Sequence, residues 1–259
     1  MNQQDNLEYW NQRAITFQDD PDKATHQDLF QKKLELDFLD KHLSSEMNVL
    51  EVGCGNGFIT EHISKYIKKV DAFDQSEGMI DLAKKRLSGR NNINLFINSL
   101  PVPNEELFDS EYDAVFSIRV LINIIDDDHR KKAIQWMANK VKTGGKLILM
   151  EGSADGLDAI NAVRTTMGID TLATPYYNIN LRRYDIFQSI PKNFNLKHDH
   201  GFGIYDLITR ILYPMLNKDN ILQYNTNLHE AAHLLNMSIP GDKLNELSRM
   251  TCMVFEKNV

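Results

Sequence analysis

Glycines at 53, 55 and 57 crowd the stretch "EVGCGNG", with Glu51 two residues ahead of the first and Asp74 nineteen residues beyond the second. So dense a glycine turn lets backbone amides and a helix N-terminus approach a ligand that side chains would hold off. Glu51 lies in an otherwise apolar strand end, where an unpaired carboxylate is costly, so it needs a partner: nearby amides or a ligand. Asp74 closes the following strand. An acid there reaches ribose hydroxyls lying across the strand ends, or belongs to the N-cap region of the next helix. Together these residues point to a cradle for a nucleotide-like ligand. The dinucleotide fingerprint G-x-G-x-x-G requires a third glycine at position 58, where this chain has Phe58.

A second set of residues could move protons or hold an acceptor. His198 and His200 alternate on a presumed strand and so share a face, with Asp199 pointing the other way. Histidine titrates near neutrality, which makes both base candidates. The alternatives are an exposed edge pair or a two-histidine metal site, for which no third ligand is suitably spaced. Arg119 falls at the end of a strand and, with Arg182, Arg183, Tyr176, Tyr177 and Tyr205, suggests a polar or anionic acceptor, because a guanidinium matches a carboxylate or phosphate. The catalytic set expected from this reading is His198, His200, Arg119 and Tyr205. "DDDHR" (126–130) is read as a helix start capped by Asp126 rather than as a metal site.

These residues need elements to position them. Apolar runs at 48–53, 68–74, 93–98, 112–118 and 146–152 alternate with segments whose apolar residues recur at helical spacing. Strict alternation of strand and helix predicts a parallel sheet covered on both faces. Ser76 is expected to cap one helix, and "KTGGK" (142–146) to end another through a left-handed glycine. One amphipathic helix is expected over 26–43. Beyond Glu151 the pattern loosens: helix and loop over 153–195, a strand within 194–205, mostly helix over 206–250, and a last strand at 251–258. The expected division is therefore 1–45 lid and lead-in helix, 46–152 ligand-binding core, 153–250 acceptor cap with late sheet elements, and 251–259 final strand.

The chain has 259 residues, of which 42% are hydrophobic, enough for one sizeable core. A formal charge of −7 argues against a nonspecific nucleic-acid or anionic-membrane binder, since each needs a basic face. Two distant cysteines, Cys54 and Cys252, do not make a disulfide framework and fit a reducing compartment. The opening "MNQQDNLEYWNQRA" lacks a basic start and an apolar core, and no apolar run approaches about 18 residues. The expectation is a cytoplasmic protein, monomeric or homodimeric.

The stretches "VLEVGCGNG", "VDAFDQSEGMIDLAKKRL", "YDAVFSIRVLINI" and "VKTGGKLILMEG" resemble the successive motifs of class I S-adenosylmethionine-dependent methyltransferases over roughly 48–152. "YWNQRA" is similar to the opening of many small-molecule members. The resemblance implies a Rossmann-like, seven-stranded, mostly parallel sheet with helices on both faces and a helical cap before the last strand. It implies S-adenosylmethionine as cofactor and S-adenosylhomocysteine as product. Glu51, Gly53, Gly55 and Gly57 would line the methionine and ribose side, Asp74 would hold the ribose, and Gln75 and Met79 would flank the adenine. Where many members place an Asp for the adenine amino group, this chain offers Asn98 and Ser99. Ser117 and Arg119 would face cofactor and acceptor. "YWNQR" would fold over as a lid, Tyr9 or Trp10 covering the sulfonium in a cation–π contact and Arg13 pairing with the methionine carboxylate; otherwise it is a surface helix with its aromatics pinned to the core.

Two absences narrow the class: "SIRVLI" replaces the D/N-P-P-Y/F stretch of nucleobase amino-methyltransferases, and the paired-glutamate loop of protein arginine methyltransferases is missing. The leading reading is methyl transfer to oxygen of a polar small molecule, sugar-like or bearing phosphate or carboxylate. Residues 153–250 vaguely resemble methyltransferases of bacterial surface-polysaccharide clusters. The alternatives are N-methylation of a small metabolite, a nicotinamide- or flavin-dependent oxidoreductase, and a non-catalytic binder of the same cofactor.

Overall fold

The computed structural model describes residues 3–101, 103–109, 111–217, 223–239 and 243–258; the remainder of the helical stretch expected over 206–250, 218–222 and 240–242, lies outside them. Seven strands make one sheet: β1 (Asn48–Val52), β2 (Lys69–Asp74), β3 (Ile93–Ile97), β4 (Tyr112–Ile118), β5 (Val141–Gly152), β6 (Phe194–His200) and β7 (Met250–Lys257). Their order is β3-β2-β1-β4-β5-β7-β6. The pairs β1–β2, β1–β4, β2–β3 and β4–β5 are parallel, whereas β7 runs antiparallel to both β5 and β6. This is the expected Rossmann-like sheet.

The helices are α1 (Gln3–Thr16), α2 (Leu29–Asp40), α3 (Phe58–Ile63), α4 (Glu77–Arg86), α5 (Asp127–Asn139), α6 (Ala154–Thr166), α7 (Arg183–Ser189), α8 (Gly203–Asp206), α9 (Tyr213–Leu216) and α10 (Asn227–Ser238). Leu207–Leu212, between α8 and α9, winds as a π-helix. Among the described residues, no helix is long and apolar enough to cross a membrane.

The central strands are apolar on both faces because helices cover both. Val49, Ala114, Phe116 and Ile148 pack with Leu34, Phe38 and Leu39 of α2. The alternate residues Leu50, Val52, Val115, Leu147 and Leu149 pack with Ala133, Ile134 and Met137 of α5. Ser76 caps α4, accepting from Met79 N at 3.1 Å, and Asp126 caps α5, accepting from His129 N at 2.8 Å.

Three expectations need correction. The helix expected over 26–43 starts only at Leu29, because the Asp28 carboxylate accepts from Gln31 N at 3.1 Å and caps it there; His26 is left in the loop before it. Helix α5 ends at Asn139 rather than at "KTGGK": Val141 already pairs with Tyr112, and Gly144 (φ +74) sits in an irregularity before pairing resumes at Lys146. The strand within 194–205 stops at His200, and α8 begins at Gly203, where a Cβ would run into the carbonyl of Leu244 that packs against it.

From β1 the chain steps outward to β2 and β3, then crosses back to β4 on the other side of β1. The crevice for a ligand in an open α/β sheet forms at the carboxyl ends of strands where the order reverses in this way.

Candidate active site

A cleft of about 1220 Å³, mouth included, opens at that reversal. Its floor is the glycine turn. A Cβ on Gly53 (φ +72) would come 2.3 Å from Val120 Cγ2, so the turn admits no side chain there. Gly55 N donates to Asp74 Oδ2 at 2.9 Å, tying the turn to the end of β2. Asp74 Oδ1 accepts from Ser76 N at 2.9 Å, and the half-buried carboxylate faces the cleft. Burial raises its pKa, and the N–H groups of Ser76, Gly55 and Gln75 oppose that rise.

Glu51 also lines the cleft and is only 3% exposed. Thr60 Oγ1 donates to its Oε2 at 2.6 Å. Burial, reinforced by the negative charge of Asp74, pushes its pKa up to about 8 despite the threonine hydrogen bond. A carboxyl group so placed is neutral near pH 7 until a cation arrives beside it.

The wall across the turn is basic. Arg119 follows β4 with φ +56, a left-handed conformation that a residue other than glycine adopts at a cost. Its N–H donates to Met150 O, its carbonyl accepts from Asn123 Nδ2, and its guanidinium pairs with fully buried Glu35 of α2. Lys32, also of α2, is buried with its Nζ 2.7 Å from Asp22 O and 4.6 Å from the Phe58 ring centre. Burial, with help from Arg119, lowers its pKa to about 8. Phe58, where a dinucleotide fold would have glycine, thus serves as the face for a cation.

The roof comes from α1 and the loop before α7. Trp10 lines the cleft and donates through Nε1 to Asn123 Oδ1 at 3.2 Å. Asn6 Nδ2 reaches Asn123 Oδ1 at 3.3 Å and Tyr177 O at 3.2 Å. On the other side of α1, Ser76 Oγ donates to Asn11 Oδ1 at 2.6 Å.

Of the residues singled out from the sequence, the cleft brings together Trp10, Glu51, Gly53, Gly55, Asp74, Gln75, Met79, Asn98, Ser99 and Arg119. Others stand elsewhere. Tyr9 stacks at 4.2 Å on Tyr177, and it is Tyr177 that meets the cleft. The Arg13 guanidinium is occupied by the carbonyls of Lys23, Ala24 and Thr25. Gly57 caps α3, where a Cβ would press on Ala83 and Leu87 at 3.1 Å, so its smallness serves helix packing. Ser117 is buried and donates to Glu151 Oε1 at 2.8 Å. Glu151 in turn accepts from Val120 N and Ile122 N and so fixes the loop carrying Arg119. Asn98 Oδ1 already accepts from Ser99 N and Asn104 N, so its carbonyl organises its own loop.

The expected catalytic set divides in the same way. His198 and His200 lie on β6, at the far edge of the sheet, against His42 and Phe38. The Tyr205 hydroxyl is buried and donates to Asp28 Oδ1 at 2.5 Å. None of the three lines the cleft: β7 enters between β5 and β6 and carries the two histidines of β6 away from β4, and Tyr205 of α8 is turned to Asp28. Only Arg119 remains. The sequence reading missed Thr25, His26, Lys32, Asn56, Asn123 and Asn178, all of which line the cleft. For His26 a signal existed: Asp28 followed three residues later by Gln31 marks a helix start and leaves His26 in a loop.

Residues 49–145 match the family model described as a methyltransferase domain. The chain carries a class I S-adenosylmethionine-dependent methyltransferase domain. The chain is 27% identical over 168 residues, 61% of its length and 60% of the relative, to protein 235L of Invertebrate iridescent virus 6, itself named as a methyltransferase. It is 30% identical over 133 residues, 47% of this chain and 40% of the relative, to the mitochondrial ubiquinone biosynthesis O-methyltransferase of Dictyostelium discoideum. The chain thus spans less than two thirds of the length of either relative. Among solved structures, magnesium protoporphyrin IX methyltransferase from Synechocystis PCC 6803, crystallised with S-adenosylhomocysteine, shares the fold with a TM-score of 0.53 at 15% identity, over 89% of this chain and 82% of that one.

Proposed function

We propose that this chain is an S-adenosylmethionine-dependent methyltransferase that methylates oxygen of a polar small molecule. The observation that carries the reading is the placement of Glu51 and Asp74 at the ends of adjacent strands, on either side of a turn that only glycine can make. The residues fit the cofactor. Asp74 would accept from the ribose hydroxyls, Glu51 would meet the ammonium of the methionine portion, and Gln75 and Met79 would flank the adenine. Lys32, which lines the cleft, would pair with the carboxylate in place of Arg13. Trp10 and Tyr177 supply aromatic surface over the cleft mouth, suited to a sulfonium. When bound, the cofactor supplies a methyl group already activated for displacement. The protein's part is then to hold the acceptor in line, exclude water beneath α1 and manage the acceptor's proton. The oxygen preference draws on the O-methyltransferase relative.

Thermal unfolding with S-adenosylmethionine, S-adenosylhomocysteine, NAD⁺ and FAD tests the reading. The first two are expected to raise the midpoint as their concentration passes the dissociation constant, and Asp74→Ala to abolish the rise. A rise with NAD⁺ alone would assign the turn to an oxidoreductase.

A further inference from the structure

Two residues that line the cleft each carry a buried polar atom with no partner among the described residues: His26 Nδ1 and Asn178 Oδ1. Buried polar atoms are almost always satisfied, so two orphans on one cavity call for a ligand. His26 is not placed there by chance of a slack loop. Arg13 grips the carbonyls of residues 23–25 just before it. Just after it, Asn225 accepts from Leu29 N at 2.8 Å and donates to Gln27 O at 3.1 Å. Asp28 then locks the start of α2. The backbone on both sides of the ring is thereby strapped in place, and one ring nitrogen is buried without a partner at the cleft wall.

We propose that His26 is the base that takes the proton from the acceptor, and that the acceptor is an acidic hydroxyl compound, of phenol or enol type, with a second polar group that meets Asn178. This rests on the methyltransferase reading above. In the step, the O–H proton passes to the His26 Nδ1 lone pair while the oxygen forms a bond to the sulfonium methyl carbon. The C–S bond breaks with its electron pair retained by sulfur, and the imidazolium later gives its proton to water. Arg119 stands on the same cleft and offsets negative charge developing on the oxygen.

The surroundings select this chemistry. The groups acting on His26 are Asp28, which favours its charged form, and Arg119, Arg210 and Arg249, which disfavour it. Burial and these arginines hold its pKa well below the ordinary value, so the ring is neutral near pH 7. A base that weak matches an aryl or enol hydroxyl, at about 10 for a phenol, far better than an alkyl alcohol. An amine acceptor needs no base once neutral, and as an ammonium it would be repelled by Lys32 and Arg119.

The test uses the full chain. Calorimetry first measures S-adenosylhomocysteine binding to wild type, His26→Gln and His26→Asn, with cooperative unfolding confirming that each variant folds. Absence of binding to wild type would overturn the methyltransferase reading itself. With binding intact, the variants should match wild type within about threefold; a loss above tenfold would place His26 in the cofactor site and overturn the proposal. Nitrogen NMR of histidine-labelled protein, assigned with His26→Gln, should then show a neutral ring at pH 7 whose Nδ1 shifts when catechol or phenol is added to the complex, but not with cyclohexanol or aniline. A charged ring at pH 7, or no shift with either phenolic probe, overturns it. In turnover of the phenolic probes, His26→Gln should lower kcat by about 10²-fold or more with KM little changed. A pH limb near 8 that moves with Lys32→Met would instead make Lys32 the base.

Discussion

Glu51 has a property that a surface carboxylate would not have: it is protonated in the free protein near pH 7 because it is buried. An ammonium group placed beside it favours the carboxylate, so binding should expel a proton. Calorimetric titration of S-adenosylhomocysteine at pH 7 in phosphate and in Tris should therefore give apparent enthalpies that differ by up to one proton's worth of buffer ionisation. Glu51→Gln should erase the difference and weaken binding; equal enthalpies in wild type would refute the pairing. The free protein shows the same group in its pH–stability curve. Since the folded-state pKa lies above the unfolded one, the folded chain binds the extra proton between about 4.5 and 8, and stability falls as pH rises through that window. Glu51→Gln should be more stable than wild type at pH 8 to 9 and lose most of that advantage below pH 5.

At the scale of elements, the side chain of Asn123 ties α1 to the loop after β4, its Oδ1 taking hydrogen bonds from both Trp10 and Asn6. Asn123→Ala removes both bonds to α1, of about 1 kcal/mol each, together with the bond to the Arg119 carbonyl, and amide exchange in α1 should quicken by about tenfold or more while the sheet is unaffected. Unchanged exchange would mean that packing of α1 on α4 is sufficient by itself. The strands were legible because a buried central strand leaves a continuous apolar run, and Glu51, Asp74 and the glycines were legible because polar or small residues interrupt those runs at their ends. The cap was harder. That β7 inserts between β5 and β6 depends on pairing across more than fifty residues, which no local pattern records, and it is this insertion that sets His198 and His200 apart from the cleft. Lys32 was hidden for a different reason: on an amphipathic helix it reads as part of the solvated face, whereas Phe58 and Asp22 fold over it.

The whole molecule is closed by a buried ionic network between its first and last thirds. Asp28 takes hydrogen bonds from Tyr205 and from Arg210, which is itself 2% exposed, and Arg249 joins Asp206 to Gln31 of α2. Asp28→Asn would take from Arg210 its hydrogen-bonded carboxylate and leave Asp206 as the remaining negative charge beside it, and urea unfolding should show a loss of about 1 to 3 kcal/mol; a loss under about 1 kcal/mol would mean that Asp206 or water compensates Arg210. The same variant should disturb the cleft, since Asp28 stands two residues from His26. The two tryptophans divide along these lines as well. Trp10 roofs the cleft, while Trp136 is packed among Phe73 and Phe108 on the other face of the sheet with its indole bonded to Glu105. The chain therefore carries a native optical pair, one fluorophore that senses occupancy and one that stays silent, so that ligand entry can be followed by emission in unlabelled protein.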